Sequence, residues 1–384
     1  MIAIHLGTNS FAFIASLSTG EIELESIIFD STKSDMVISY LVLVFCFFYL
    51  LGIALIFKRD GQDAILNFFV QNAYGYFILF IQLVYFLFNY YYGVNKAGHD
   101  SYGVTPWYFS YFFILFSADN LFLIYLFLVD SSKLRSINIF VYILSSISRG
   151  WMGGVLFLFV NYFLERNISI KKFTHVFFVC LVLIAFLPFL INAKWLFRSI
   201  SYQNGVDLLP LLFDVGEGYL TILFNSINYV VNRFQHFSSL VYILDNKEML
   251  VSNVGRYNDF WMDGLPQLLF FRLFSLDYPS LNGYIVTDLF GYSNATWNIQ
   301  IGMGAWILLY PYASICLLGY VAVLLIVAYR LPINRYESRV SALILFFSYS
   351  FIYVGWFGAF VNLLITLIIS NLILSFLNKI NYSK

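Results

Sequence analysis

Apolar runs of about twenty residues, nearly free of charge, recur along this chain, and each is long enough to cross a bilayer as a helix. Inside a bilayer every backbone N–H and C=O must find its partner within the protein. Runs of this kind therefore commit the chain to helices packed side by side. Composition agrees: of 384 residues, 61% are hydrophobic and 11% charged, more apolar surface than a water-soluble core could enclose. The fold class expected is an all-α, polytopic membrane helix bundle. Basic and acidic residues balance at 21 each, so no basic surface for nucleic acid is expected. Phe and Tyr, 44 and 30 of them, read as lipid-facing bulk and interfacial belts. Cys46, Cys180 and Cys316 lie within apolar runs, which supports neither a disulfide framework nor a thiolate metal site.

The spans read as 36–57, 64–92, 107–129, 134–147, 151–164, 173–193, 302–329, 340–356 and 359–377. Residues 1–30 read as a weak further helix or an extracytoplasmic arm, which gives a bundle of about 9–11 helices. The fourth and fifth spans are too short to cross about 30 Å unaided. Between them stands Ser148-Arg149-Gly150, which suggests an arginine held at depth where irregular backbone lines a wet cavity. Lys58, Arg59, Lys133, Arg135, Arg166, Lys171, Lys172, Arg330, Arg335, Arg339, Lys379 and Lys384 all fall on one set of short loops. Basic loops mark the cytoplasmic side. Arg149, the acidic arm with Glu21, Glu23, Glu25, Asp30 and Asp35, and one long polar insert then face outward.

That insert divides the chain into an N-terminal bundle (1–193), a large outward loop (194–301) and C-terminal helices (302–384). Within the loop, 219–244 reads as a helix that is interfacial or packed on the bundle. Its polar stripe comprises Thr221, Asn225, Asn228, Asn232, Gln235, His236 and Ser239. A second helix, 265–276, carries Arg272 among Leu and Phe and suits the headgroup layer.

Arg149, Arg233 and Arg272 are the candidate constellation. A guanidinium keeps its charge when partly buried and offers a planar fork to phosphate oxygens. An outward membrane site with several arginines suits a lipid-linked pyrophosphate. The plainer alternative for Arg233 and Arg272 is snorkelling to headgroups. His236, three residues after Arg233, is a helical neighbour that could act as general base or as a simple polar contact. Asn225, Asn228, Asn232 and Gln235 could read sugar hydroxyls or form a solvated face. Asp119 sits near the middle of the third span. A mid-bilayer carboxylate is either catalytic or the partner of a buried arginine such as Arg149. No P-loop, GxGxxG, HExxH or CxxC is present, so neither cofactor nor metal is expected.

These residues resemble the bacterial O-antigen and oligosaccharide repeat-unit polymerases of the Wzy type. The likeness rests on the Ser148-Arg149-Gly150 break and the long outward loop with Arg233 and Arg272. It also rests on the spacing of ten residues between Arg272 and Gly283, and on Asn294-Ala295-Thr296-Trp297-Asn298 and Gly302-Met303-Gly304 closing the loop. Arg149 and Arg233 lack the Arg–Gly spacing, since Val160 and Leu244 stand where Gly would be.

The resemblance implies a GT-C-like, metal-independent glycosyltransferase of the bacterial inner membrane acting at its periplasmic face. Its substrates would be undecaprenyl-pyrophosphate-linked glycans, and its partners membrane lipid, a chain-length regulator and a flippase of the same pathway. Arg149, Arg233 and Arg272 would hold the pyrophosphate, with His236 or Asp119 taking the acceptor proton. An O-antigen ligase, or a non-enzymatic flippase or transporter of lipid-linked oligosaccharide, are the alternatives.

Overall fold

Where the apolar runs are unbroken, they are helical along their length. A computed structural model of the protein describes residues 2–24, 27–57, 66–95, 105–129, 132–150, 158, 181–182, 184–192, 218–254, 281–290, 299–335 and 338–382. The order begins with α1 (Ile2–Thr19), β1 (Glu21–Leu24), β2 (Ile27–Asp30), α2 (Lys33–Phe57), α3 (Phe68–Tyr92), α4 (Trp107–Leu115), α5 (Ala118–Leu128) and α6 (Lys133–Ser148). It continues with α7 (Tyr219–Phe234), α8 (Phe237–Asp245), α9 (Lys247–Val254), α10 (Leu281–Phe290), α11 (Gly304–Leu309), α12 (Ser314–Arg330), α13 (Ser338–Phe347) and α14 (Phe357–Tyr382).

Among the described residues, five stretches are long and apolar enough to cross a membrane: Lys33–Phe57, Phe68–Tyr92, Trp107–Leu128, Pro311–Arg330 and Phe357–Asn381. At 1.5 Å per residue, a 25-residue helix such as α2 reaches about 37 Å. The chain is thus a mostly helical, multi-pass membrane protein. The expected span at 151–164 lies outside the described residues except for 158, and the helix expected at 265–276 lies wholly outside them; of 173–193, residues 181–182 and 184–192 are described and are helical but for a turn at Phe186.

Beside its helices the mostly helical chain carries one short ribbon. The acidic arm is an antiparallel ribbon, with Glu21 opposite Asp30 and Leu24 opposite Ile27. Glu-Ile-Glu-Leu alternates with period two, so Ile22 and Leu24 turn inward and both glutamates outward.

Three expected spans are interrupted rather than continuous. In 107–129, α4 ends before Phe116–Ser117 and α5 restarts at Ala118. Ser, Asp and Asn favour helix starts over helix interiors, which makes Ser117-Ala118-Asp119-Asn120 a place to begin again. In 302–329, α11 stops before Pro311, whose ring has no N–H to continue the ladder. In 340–356, α13 widens into a π-turn at Ser348–Ile352 and ends at Gly355.

The residues pack as two compact units, each drawing on separate stretches of chain and cutting across the linear blocks 1–193, 194–301 and 302–384. One comprises Met1–Ala64 and Val231–Asn371, the other Ile65–Val230 and Leu372–Lys384. In the first, α1 lies along α2, with Phe13 stacked on Tyr40 at 4.2 Å and the Ser10 hydroxyl 2.7 Å from that of Tyr40. α12 also follows α2, the Tyr49 hydroxyl donating to Leu318 O (2.6 Å) and the Arg330 guanidinium lying over the Phe57 ring. The ends of α2 and α12 that lead into the basic loops therefore lie side by side. α8, part of the expected outward loop, is buried from Phe237 to Ile243 against α2 and α11. In the second unit, α3, α5 and α6 pack on one another.

Candidate functional site

In the second unit, one face of α6 is polar and buried. Arg135, Asn138, Tyr142, Ser145, Ser146 and Arg149 follow the helical repeat, and all are under 10% exposed. α3 answers with Gln82, Tyr85 and Asn89, at spacings of three and four. The Gln82 amide donates to Asn138 Oδ1 at 2.9 Å. Asn138 in turn donates to Gly75 O and Leu134 O. Gly150, at φ +66°, ends the helix in the left-handed conformation that glycine adopts without cost, and its N–H donates to Ile147 O. The expected break at Ser148-Arg149-Gly150 is where α6 stops.

Arg149 sits at that end, 5% exposed. Its Nη1 donates to Asp119 Oδ2 at 2.9 Å and its Nη2 to Asp119 Oδ1 at 2.8 Å, a two-pronged ion pair. Nη1 also reaches the Tyr85 hydroxyl (3.2 Å), Nε donates to Ser145 O (3.1 Å), and the guanidinium lies 5.0 Å from the Tyr85 ring centre. Of the two readings open for Asp119, the partnership with Arg149 is the one seen. Asp119 is the second residue of α5, just past the interruption, where the N-terminal end of a helix favours negative charge. The Ser145 hydroxyl and Gln82 Oε1 are buried with no hydrogen-bond partner, whereas the Tyr142 and Ser146 hydroxyls lie close enough to interact with each other, as do the Asn89 side chain and Tyr85. An orphaned buried group costs about 1–3 kcal/mol, so the Ser145 hydroxyl, on the turn before Arg149, is an expensive feature to keep for structure alone.

A second polar centre lies in the first unit, at the gap between α7 and α8. The single helix expected over 219–244 is broken at Gln235–His236. Asn9, from α1, closes the break from both sides. Its Oδ1 accepts from the N–H groups of His236 (2.7 Å) and Phe237 (2.9 Å), which begin α8. Its Nδ2 donates to Phe234 O (3.1 Å), the last carbonyl of α7, and to His5 O (2.6 Å). Thr8 Oγ1 also donates to Phe234 O, and His5 Nδ1 lies 3.2 Å from it. The chain ends left by an interrupted helix are thus met by one neighbouring helix.

The break turns His236 inward, so the expected helical neighbourhood with Arg233 is replaced by a cluster of rings. His236 is stacked near His5 at 5.4 Å between centres, and Tyr353 meets both edge-on at 5.3 and 5.6 Å. Burial pushes the imidazole of His5 down to about 4 and that of His236 to about 3, each against ~6.5 normally; the nearby His5 lowers His236 further. Both are neutral at physiological pH. The backbone of Gln300 lies close enough to favour charge on His236 without making a hydrogen bond of ordinary geometry, and both His236 ring nitrogens are unbonded. Gly302 (φ +75°) and Gly355 (φ +90°) let two irregular segments meet behind this cluster. Gly302 N donates to Val354 O and Met303 N to Tyr353 O.

Of the remaining expected site residues, Asn225, Asn228 and Asn232 lie exposed on α7. Gln235 instead donates within the break to Ser238 Oγ (2.5 Å). Arg233 belongs to α7, but its side chain is outside the described set, and Arg272 is wholly outside it. His5, Asn9, Tyr353, Tyr85, Tyr142, Ser145 and Ser146 are site residues that the sequence reading does not single out. The matching polar spacings of α3 and α6 carry a signal for four of them; nothing local marks Asn9. Among the described residues no three His, Cys, Asp or Glu side chains come together as a metal-binding group. Comparison with protein-family models, with curated proteins and with solved structures returned no match.

Proposed function

We propose that this chain is a membrane glycosyltransferase that polymerises lipid-pyrophosphate-linked oligosaccharide repeat units at the outer face of the bacterial inner membrane, on a GT-C-like bundle. The observation that carries the reading is Arg149: a charged guanidinium buried in an apolar bundle at a helix end, on the same helix face as the buried hydroxyls of Tyr142, Ser145 and Ser146. In this reading Arg149 binds the donor pyrophosphate. The bond between the donor sugar's anomeric carbon and the pyrophosphate oxygen breaks, and the lipid pyrophosphate leaves with the electron pair. A hydroxyl oxygen of the incoming repeat bonds to that carbon, and its proton passes to a base. Asp119 is the candidate base once it is free of Arg149; His236, buried with its imidazole held down to about 3, is a poor proton acceptor. Fixed guanidiniums stabilise the charge that grows on the leaving group by about 3–4 kcal/mol per donor in comparable sites. Asn225, Asn228 and Asn232, exposed on α7, are suited to glycan hydroxyls.

Transport of lipid-linked oligosaccharide is the second reading. Interrupted helices at α4–α5 and α7–α8, together with a buried ion pair, favour it, because transporters build their sites from broken helices. The surface glycan of a deletion strain separates the classes. Polymerase loss leaves single repeats on the acceptor lipid, ligase loss strands polymer on the carrier lipid, and transporter loss leaves no repeats outside. Polymer of normal length in the deletion strain would refute the proposal.

A further inference from the structure

Arg149 and Asp119 meet in the two-pronged geometry by which a guanidinium also holds a phosphate. The pair is lopsided. The Arg149 side chain is 6% exposed and the Asp119 side chain 17%. Arg149 is also held by Ser145 O and the Tyr85 hydroxyl, bonds that do not involve the carboxylate. Asp119 stands in the first turn of an 11-residue helix whose N-cap, Ser117, makes no side-chain cap bond. The carboxylate therefore occupies a place where arginine and helix N-terminus both favour an anion. Tyr142 lies within electrostatic reach of both members of the pair, stacks on Phe122 at 4.3 Å and leaves its hydroxyl without a hydrogen bond of ordinary geometry. One turn further along α6, the Ser145 and Ser146 hydroxyls are likewise buried, that of Ser146 close enough to interact with the Tyr142 hydroxyl and that of Ser145 without a partner. An ion pair that served only to hold helices together would need none of these donors. An oxyanion with three or more oxygens would use them.

We propose that Asp119 is a resident anion, and that a phosphate oxygen of a lipid-linked substrate displaces it from Arg149 and takes further hydrogen bonds from the Tyr142, Ser145 and Ser146 hydroxyls. The exchange conserves charge at the guanidinium. The incoming phosphate replaces one negative partner with another, and the released carboxylate turns outward, where it can accept a proton. The emptied protein is held closed by its own side chain and opens only to an anion that binds better. Identification of the anion as a lipid pyrophosphate rests on the glycosyltransferase reading; the exchange itself needs only a phosphate group, from such a substrate or from a phospholipid headgroup.

The experiment uses the purified full chain in neutral detergent with three probes: inorganic pyrophosphate, farnesyl pyrophosphate and phosphatidylglycerol. Calorimetry gives affinity, and thermal unfolding gives the midpoint with and without probe. Asp119→Asn is expected to unfold at lower temperature than wild type when empty. It is expected to bind farnesyl pyrophosphate at least tenfold more tightly and to regain its lost midpoint on binding, because the probe supplies the missing anion. Arg149→Gln is expected to bind no probe. Tyr142→Phe keeps the ion pair, so it is expected to match wild type in midpoint while binding threefold to tenfold more weakly. If Asp119→Asn does not fold, Tyr142→Phe decides alone. Binding by Asp119→Asn no tighter than wild type, or full affinity in Tyr142→Phe or Arg149→Gln, overturns the exchange. Saturation by phosphatidylglycerol at equal affinity assigns the site to headgroups, and preference for farnesyl pyrophosphate assigns it to carrier lipid. Tight binding in Asp119→Asn with no glycan transfer in liposomes sinks the glycosyltransferase reading alone; transfer without tightened binding sinks only the exchange.

Discussion

Asn9→Leu removes the polar group that bridges the α7–α8 break while keeping the number and branching of its side-chain heavy atoms. In the protein, Asn9 Oδ1 is the acceptor for two buried N–H groups, those of His236 and Phe237. Each donor left unpaired costs about 1–3 kcal/mol, so the substitution should remove roughly 2–6 kcal/mol. Phe234 O adds little to that sum, because Thr8 and His5 still lie within bonding distance of it. At about 2–4 °C per kcal/mol for a unit of this size, the unfolding midpoint should fall by ~4–24 °C. Thr8→Ala is the matched control. It deletes one of several donors to a carbonyl that keeps others, and should cost less than about 1 kcal/mol. Intrinsic tryptophan fluorescence during a thermal ramp in detergent reads both variants. Equal midpoints for Asn9→Leu and Thr8→Ala would mean that Asn9 does not hold the break, and would refute the reasoning from its two accepted bonds.

Three further outcomes are expected. Because burial lowers the folded-state pKa of His5 to about 4 and of His236 to about 3, the unfolded chain binds protons first as pH drops. Stability is therefore complete above about pH 6.5 and falls below it by about 1.4 kcal/mol per pH unit for each histidine. Midpoints measured from pH 7.5 to 5 should show this slope, and a His5→Leu/His236→Leu variant should flatten it; a flat wild-type curve contradicts the neutral-cluster reading. Arg149→Met should cost about 3–5 kcal/mol by leaving Asp119 unpaired, and the double variant with Asp119→Leu should recover most of that in a double-mutant cycle; a double variant no more stable than the single one argues that the pair is not coupled. At Gly355, φ is +90° and an added Cβ would stand 3.2 Å from Gly302 O, so Gly355→Ala should cost about 1–3 kcal/mol. Gly319→Ala, in open space on α12, should be neutral or mildly stabilising, and equal effects at the two sites would remove the strain argument.

The unbroken helices are legible in sequence because their cause is local. α2, α3 and α14 follow from uninterrupted apolar sequence, and hydropathy alone locates them within a few residues. The interruptions divide by cause. Pro311 and the Ser117-Ala118-Asp119-Asn120 cluster announce theirs in sequence. The break at Gln235–His236 does not, because its stabilising group, Asn9, is more than 220 residues away and no local propensity encodes it. The same holds for the rings around His236, which come from α1 and the segment after α13. The ion pair is legible as one of two options, since a buried carboxylate and a buried arginine each need a partner. Choosing between the options requires knowing that α5 and α6 are neighbours. The ribbon at Glu21–Asp30 carries its period-two alternation in sequence, but over only four residues a strand, where acidic content is the stronger signal.

The proposed activity joins lipid-linked glycans without nucleotide or metal, using the chain's own arginines. Its decisive test is purified protein in liposomes, given synthetic repeat units on a prenyl pyrophosphate and a chelator. Chain extension with release of prenyl pyrophosphate is expected, with loss of both products in Arg149→Gln. Repeat units crossing the bilayer with no new glycosidic bond would contradict it.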